Sequence, residues 1–236
     1  MDKNDLYGDA LLDYQKNNFT EDIKTYSSIA GDDIYPLPYL FRKYKEMPKL
    51  EQKALQLSKG KILDIGCGAG SHSLYLQEQN KNVLAIDISK GAIETCKLRG
   101  IKNCKTQDIW QLQNTQFDTI LLLMNGAGMC GKLKKLSNFL NHLKTLLTPK
   151  GQILLDSTNV IYMFEDQDGN YSIDANATYY GETTFTLEYK NKKGKTFDWL
   201  YIDFYNLQKV SEYCGLQCEL ILEGNHFDYL ARIRHI

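Results

Sequence analysis

The densest concentration of chemistry in the chain is the run Asp64-Ile65-Gly66-Cys67-Gly68-Ala69-Gly70, followed by carboxylates at Asp87 and Asp108. Closely spaced glycines let a backbone approach a ligand that side chains would block. Where such a turn opens a helix, the free N–H groups of the first turn face the ligand and favour its negative groups. A carboxylate at Asp87 suits a ribose diol, because it can accept from both hydroxyls without a metal. Asp108 can accept from an adenine amino group, with Ile109 and Trp110 offering apolar cover to the ring. These residues together describe a site for an adenosine-containing cofactor.

The glycine spacing says which one. A dinucleotide fold uses GxGxxG and sets a pyrophosphate on the helix N-terminus. Here the third glycine would have to stand at position 71, which is Ser71, and Gly70 comes one residue early. The pattern is GxGxG preceded by an acid. S-adenosylmethionine has no pyrophosphate; it joins an adenosine to a sulfonium and a zwitterionic amino-acid tail. Asp64 complements that ammonium or its bound water, and the loop N–H groups meet the carboxylate. An NAD-dependent oxidoreductase is the weaker alternative, which Asp87 by itself does not separate.

The elements that must position these residues alternate strand and helix. Lys61–Gly66, Asn82–Ser89, Asn103–Asp108, Phe117–Asn125 and Gln152–Thr158 read as five strands. Helices follow from near Ser71, over the segment KGAIETCKLRG ending at Gly100, and over Leu133 to Leu147, whose leucines and Phe139 recur at three- and four-residue steps. Such alternation predicts parallel crossovers and a doubly wound sheet with ligands beyond the carboxyl ends of its strands. The glycine loop, Asp87, Asp108 and Asn125-Gly126 all fall at those ends. Residues 1–58 predict a helical lid: a helix over Leu6 to Lys16, a polar stretch, a break at Pro36/Pro38, and a helix over PYLFRKYKEMPKLEQKALQL restarted at Pro48. Residues 159–203 form a Tyr-rich insertion ending in a β-hairpin, TTFTLEY and TFDWLYI about NKKGK. Residues 204–236 read as a helix and two strands.

ILDIGCGAG, VLAIDIS, the Asp108-Ile109 pair, FDTILLLMN and LLTPKGQILL, in this order and spacing over roughly residues 58–158, resemble the successive motifs of class I S-adenosylmethionine-dependent methyltransferases. The resemblance implies a three-layer α/β sandwich around a seven-stranded, mostly parallel sheet, the last strand antiparallel between the fifth and sixth. It also implies that Asp64, Gly66, Cys67, Gly68 and Gly70 surround the methionine part, Asp87 and Ile88 the ribose, and Asp108 and Ile109 the adenine. Arg42 or Tyr39 would meet the cofactor's carboxylate, Met124 would be a cofactor neighbour, and His72, at the start of the helix after the glycine loop, is structural or a cofactor neighbour. The run Met124–Met129 lacks the NPPY pattern of many amino- and amide-nitrogen methyltransferases, which counts against adenine-amino and glutamine-amide targets.

Methyl transfer needs positioning and water exclusion more than a catalytic triad. Asn125 sits where the family places the transferred methyl and is a candidate to orient the acceptor. His226, after the Glu223-Gly224-Asn225 turn, is a candidate base near neutral pH; its alternative is a turn histidine bonded to backbone. Lys and Arg total 28 against 29 for Asp and Glu, a net charge of -1, so no polyanion-gripping surface is expected. A small-molecule acceptor is therefore favoured over RNA; a non-catalytic regulatory protein binding the same cofactor is the remaining alternative. The six cysteines show no CxxC pair, and thiols without a metal are the expectation, Cys214 and Cys218 being at most a weak pair. A polar N-terminus without an apolar leader and no membrane-length apolar run predict a cytoplasmic protein. Oligomeric state is left open.

Overall fold

The computed structural model of the protein describes residues 5–173 and 179–236; positions 174–178 of the expected insertion lie outside the described residues. The chain opens with α1 (Leu6–Gln15), β1 (Ile23–Ser27), β2 (Gly31–Tyr35), the single-turn α2 (Leu37–Leu40) and α3 (Lys49–Leu57). The alternating region follows as β3 (Lys61–Ile65), α4 (Ser71–Glu78), β4 (Asn82–Asp87), α5 (Lys90–Leu98), β5 (Cys104–Thr106), β6 (Phe117–Leu122), α6 (Leu133–Thr145) and β7 (Leu147–Thr158). Then come β8 (Glu182–Tyr189), β9 (Lys192–Lys193), β10 (Phe197–Leu200), α7 (Phe204–Tyr213), β11 (Leu216–Glu223) and β12 (Asp228–His235).

Seven strands form the main sheet in the order β11-β12-β7-β6-β3-β4-β5. The five strands from β3 to β7 run parallel, and β12 is antiparallel to both β7 and β11. Strand order reverses between β3 and β6, which opens a crevice beyond their carboxyl ends. Both faces are covered, so Ile120, Leu121 and Leu122 of β6 are fully buried. On one face α6 lays down Leu136, Phe139, Leu140 and Leu143, each contributing roughly 1.5–3 kcal/mol by burial. On the other, Leu50, Ala54 and Leu55 of α3 pack against Leu121 and Leu154.

Three boundaries differ from the sequence reading. The segment after Pro36 is not one long helix: α2 ends at Leu40, Lys43 is extended, and a 3₁₀ turn over Tyr44–Glu46 precedes α3, whose N-cap is Pro48. Leu147 begins β7, which continues through Thr148-Pro149-Lys150-Gly151 to Thr158. The segment HFDYLARIRHI reads as a strand from His226, but the last strand starts at Asp228, because Phe227 takes a left-handed turn conformation with φ +59.

The N-terminal segment also contributes more than helices. Its polar stretch folds into β1 and β2, which join the insertion strands in a second, five-stranded sheet, β10-β8-β1-β2 with β9 on β8. The register pairs Lys24 with Glu188 and Phe197 with Phe185. The expected hairpin turn is tight: Lys190 and Asn191 both have positive φ, the geometry of a two-residue turn matched to strand twist. β2 was not visible as a strand because its residues are exposed except for half-buried Tyr35, so no apolar alternation marks it.

Candidate active site

β3 delivers Asp64 to the crevice, where it is almost fully buried and accepts a 2.6 Å hydrogen bond from Ser73 Oγ on α4. Burial pushes its carboxyl up, against the opposing influence of His72 and Ser73. Gly66, Gly68 and Gly70 then take φ of +69, +53 and +79, a left-handed path that side chains resist. A Cβ at Gly68 would stand 2.8 Å from the Tyr7 hydroxyl, so α1 lies directly against the loop. Asp87, at the end of β4, holds this geometry from the other side. Its Oδ2 accepts from Gly68 N–H at 3.0 Å and its Oδ1 from Ser89 N–H at 2.8 Å. Burial raises the Asp87 carboxyl, opposed by those N–H groups, while Asp5 and Asp64 nearby raise it further.

Asp5 explains how α1 is placed. It caps the helix by accepting from Gly8 N–H, and its other oxygen accepts from Ser89 Oγ at 2.9 Å and Gly91 N–H at 3.0 Å. Cys67 is buried 3.8 Å from Cys96, whose thiol also donates to the Gly68 carbonyl. Ile88 stands at the rim, 75% exposed. Asp108 caps the 3₁₀ turn Ile109–Gln111 by accepting from Trp110 N–H at 3.0 Å. The Ile109 side chain turns into the main core rather than toward a ring, and Trp110 packs against Phe139 and His142 of α6.

Beside the loop lies an ionic cluster that the sequence did not announce. Arg42 Nη2 donates to both oxygens of Glu51 at 2.5 Å, and His72 Nε2 meets Glu51 Oε2 at 2.6 Å; all three side chains are buried. Arg42 Nη1 donates to the Tyr39 carbonyl, and the guanidinium lies 4.0 Å over the Tyr39 ring. Its Nε is sealed from solvent with no partner among the described residues. Burial would push Glu51 up, but the hydrogen bond and charge of His72 and the charge of Arg42 outweigh it and hold it below its usual value. For His72 burial works downward, and Glu51 and Asp64 overcome it and raise the imidazole. His72 therefore acts through Glu51. Glu51 lies on α3 amid polar neighbours, so only the fold shows that it pairs with Arg42.

After β6, Met124 and Asn125 have φ of +60 and +59, two consecutive left-handed non-glycine residues. Asp156 of β7 holds this turn, with Asn125 N–H donating to its Oδ1 at 2.8 Å and the Met124 main chain adding a second bond. Asp156 is 9% exposed, and burial pushes its carboxyl up to about 7, with the Glu51 charge adding to the rise. Met124, Asn125, Asp156 and Glu51 line a cavity of about 260 Å3 whose walls include Tyr35, Tyr39 and Asp228. Asn125 Oδ1 is buried with no hydrogen-bond partner among the described residues. His226 does not line this cavity. It sits in an exposed turn, where its backbone N–H donates to Asp228 Oδ1 at 3.0 Å, so the neighbouring Asp228 occupies the place expected of it. Tyr7, Tyr35, Glu51, Asp156 and Asp228 were all missed in the sequence. Asp156 alone left a signal, at the carboxyl end of a predicted strand.

A family described as a methyltransferase domain matches residues 56–203. The crystal structure of an S-adenosylmethionine-dependent methyltransferase from Bacteroides fragilis in complex with S-adenosyl-L-homocysteine is 42% identical, with a TM-score of 0.92 over 98% of this chain and 95% of that one. An S-adenosylmethionine-dependent methyltransferase from Clostridium acetobutylicum shares the fold at 17% identity and a TM-score of 0.59, over 84% of this chain and 94% of that one. No curated protein matches the chain at a significant level.

Proposed function

The chain belongs to the class I S-adenosylmethionine-dependent methyltransferases, and from that premise we propose that it methylates a small-molecule acceptor held in the cavity beside Asn125. The observation that carries this reading is the glycine loop held by Asp87 through Gly68 N–H at the end of β3, with a cavity lined by Asn125 and Asp156 beyond the ends of β6 and β7. One feature supports the fit of S-adenosylmethionine. The unpartnered Nε of Arg42 offers a buried donor for a carboxylate.

In this reading Arg42 meets the cofactor's carboxylate, Gly66, Cys67, Gly68 and Gly70 border its methionine part by close approach of the backbone, and Asp64 complements its ammonium. Asp87 and Ile88 take the ribose, Asp108 and the Ile109 main chain the adenine, and Met124 borders the reacting end. His72 supports the site by fixing Glu51 against Arg42. The cofactor supplies an electrophilic methyl carbon on positively charged sulfur. The protein's own work is to aim an acceptor atom in line with that carbon and to exclude water. Asn125 Oδ1 orients the acceptor as a hydrogen-bond acceptor.

The whole chain acts as one domain: residues 59–158 as the cofactor core, 1–58 and 159–203 as the cover, and 204–236 completing the sheet. Balanced charge weighs against an RNA acceptor. Among the described residues no helix is long and apolar enough to cross a membrane. Calorimetric titration with S-adenosylmethionine, S-adenosylhomocysteine and NAD tests the reading. Micromolar binding of the first two and none of NAD is expected; folded protein that binds neither sulfur compound would end it.

A further inference from the structure

The cavity beside Asn125 is chemically one-sided. Asp156 and Asp228 both line it, and among the described residues neither is paired with a lysine, arginine or histidine side chain. Glu51, the third carboxylate, is already balanced by Arg42 and His72. Asp156 is nine-tenths buried and its recorded partners are main-chain groups. Asn125 Oδ1 adds a sealed acceptor that no protein donor satisfies. The described lining offers hydroxyls and the Asn125 amide but no lysine, arginine or histidine, so its unpaired carboxylates call for a ligand that brings positive charge and N–H donors. Tyr35 and Tyr39 complete the wall with two aromatic rings 6.3 Å apart, surfaces that attract a cation.

We propose that this cavity takes a small primary or secondary amine, bound as its ammonium between Asp156 and Asp228, and that Asp156 receives the proton the nitrogen sheds before methyl transfer. This rests on the methyltransferase reading above. The step balances: the ammonium N–H bond breaks and its proton passes to the Asp156 carboxylate, freeing the nitrogen lone pair. That pair forms the N–CH3 bond as the S–CH3 bond breaks with its electrons going to sulfur, which becomes the neutral thioether. The product leaves as a methylated ammonium, and Asp156 returns the proton to solvent. A carboxylate raised to about 7 by burial is matched to such a transfer near neutral pH. The cavity, at about 260 Å3, limits the acceptor to a small molecule or the amine-bearing end of a larger one.

The test uses the full chain with benzylamine and cyclohexylamine, their N-methyl derivatives, and the alcohol and carboxylate analogue of each. Binding to protein saturated with S-adenosylhomocysteine is measured by calorimetry, and turnover by release of S-adenosylhomocysteine from S-adenosylmethionine. Amines should bind and be methylated while alcohols and carboxylates are inert. Asp156→Asn keeps an oxygen to accept from Asn125 N–H, and should lower kcat for the amines by about a hundredfold. Its affinity for S-adenosylmethionine and S-adenosylhomocysteine should stay equal to that of the unmodified protein. Asp228→Asn, which lies outside the Asn125 turn, should raise KM for amines by about tenfold through loss of a charge-assisted contact. Preference for an alcohol or carboxylate, failure of every amine to bind the saturated protein, or full amine turnover by both variants would overturn the proposal. So would an Asp156→Asn loss confined to S-adenosylmethionine over S-adenosylhomocysteine binding, because the carboxylate would then serve the sulfonium. Failure of the unmodified protein to bind either sulfur compound would instead strike the methyltransferase reading on which the proposal stands.

Discussion

Asp156 accepts a 2.8 Å hydrogen bond from the main-chain N–H of Asn125, tying the end of β7 to the left-handed turn that follows β6. A carboxylate performs this task although it is buried and has no cationic partner among the described residues, and burial pushes it up to about 7. Its proton is held more tightly in the folded chain than in the unfolded one, where a carboxyl titrates near 4. The associated stability is therefore full below about pH 4 and is lost as pH rises through about 7. Asp156→Asn, free of this titration, should gain on the unmodified protein between pH 5 and pH 8 by on the order of 2–4 kcal/mol. Thermal melts at the two pH values check this; a difference that does not change with pH would refute it.

The Arg42–Glu51 pair should behave as a buried ion pair whose loss strands a charge. Glu51→Gln leaves Arg42 without its counterion and should cost roughly 3–5 kcal/mol, lowering Tm by about 10 °C. Differential scanning calorimetry reads the shift, and a change of only a degree or two would mean that water or another group compensates.

The imidazole of His72 is raised by its partners, so its contribution is full below about pH 6.5 and fades as pH rises through its folded value. Glu51, held low, contributes above its unfolded value near 4.3 and loses that contribution only on further acidification. His72→Ala should accordingly destabilise more at pH 6 than at pH 8.5. Denaturant melts of both proteins at these pH values measure the difference, and equal losses would remove the charged imidazole from the account.

Asp87→Asn should weaken S-adenosylmethionine binding by about ten- to hundredfold, through loss of a charged acceptor at the ribose and a looser Gly68 contact. Calorimetry on a variant with an unchanged melting temperature gives the number. Unaltered affinity would withdraw the ribose assignment.

Asp5→Ala removes the cap of α1 and its bonds to Ser89 and Gly91 at once. It should cost about 1–2 kcal/mol and speed hydrogen exchange in α1 while leaving β3 and β6 protected. Uniform loss of protection would show that α1 is integral to the core rather than a cover.

The main sheet could be read in the sequence because each element satisfies a local rule. The apolar run of β6, the leucine stripe of α6 and the glycine turn between β3 and α4 each follow from nearest-neighbour periodicity and backbone sterics. The positions of Asp64, Asp87 and Asn125 followed in turn, since strand ends of a doubly wound sheet converge on one crevice. The tertiary structure alone decided which distant groups complete that crevice. Glu51 meets Arg42 and His72, Asp5 reaches Ser89, Asp156 reaches Asn125 at the end of the neighbouring strand, and Asp228 rather than His226 faces the cavity. The hairpin β1–β2 likewise became a sheet only by pairing with β8. These relationships depend on long-range packing and on the balance of burial against charge. Neither leaves a period or a spacing in the sequence, because both are set by residues far apart along the chain.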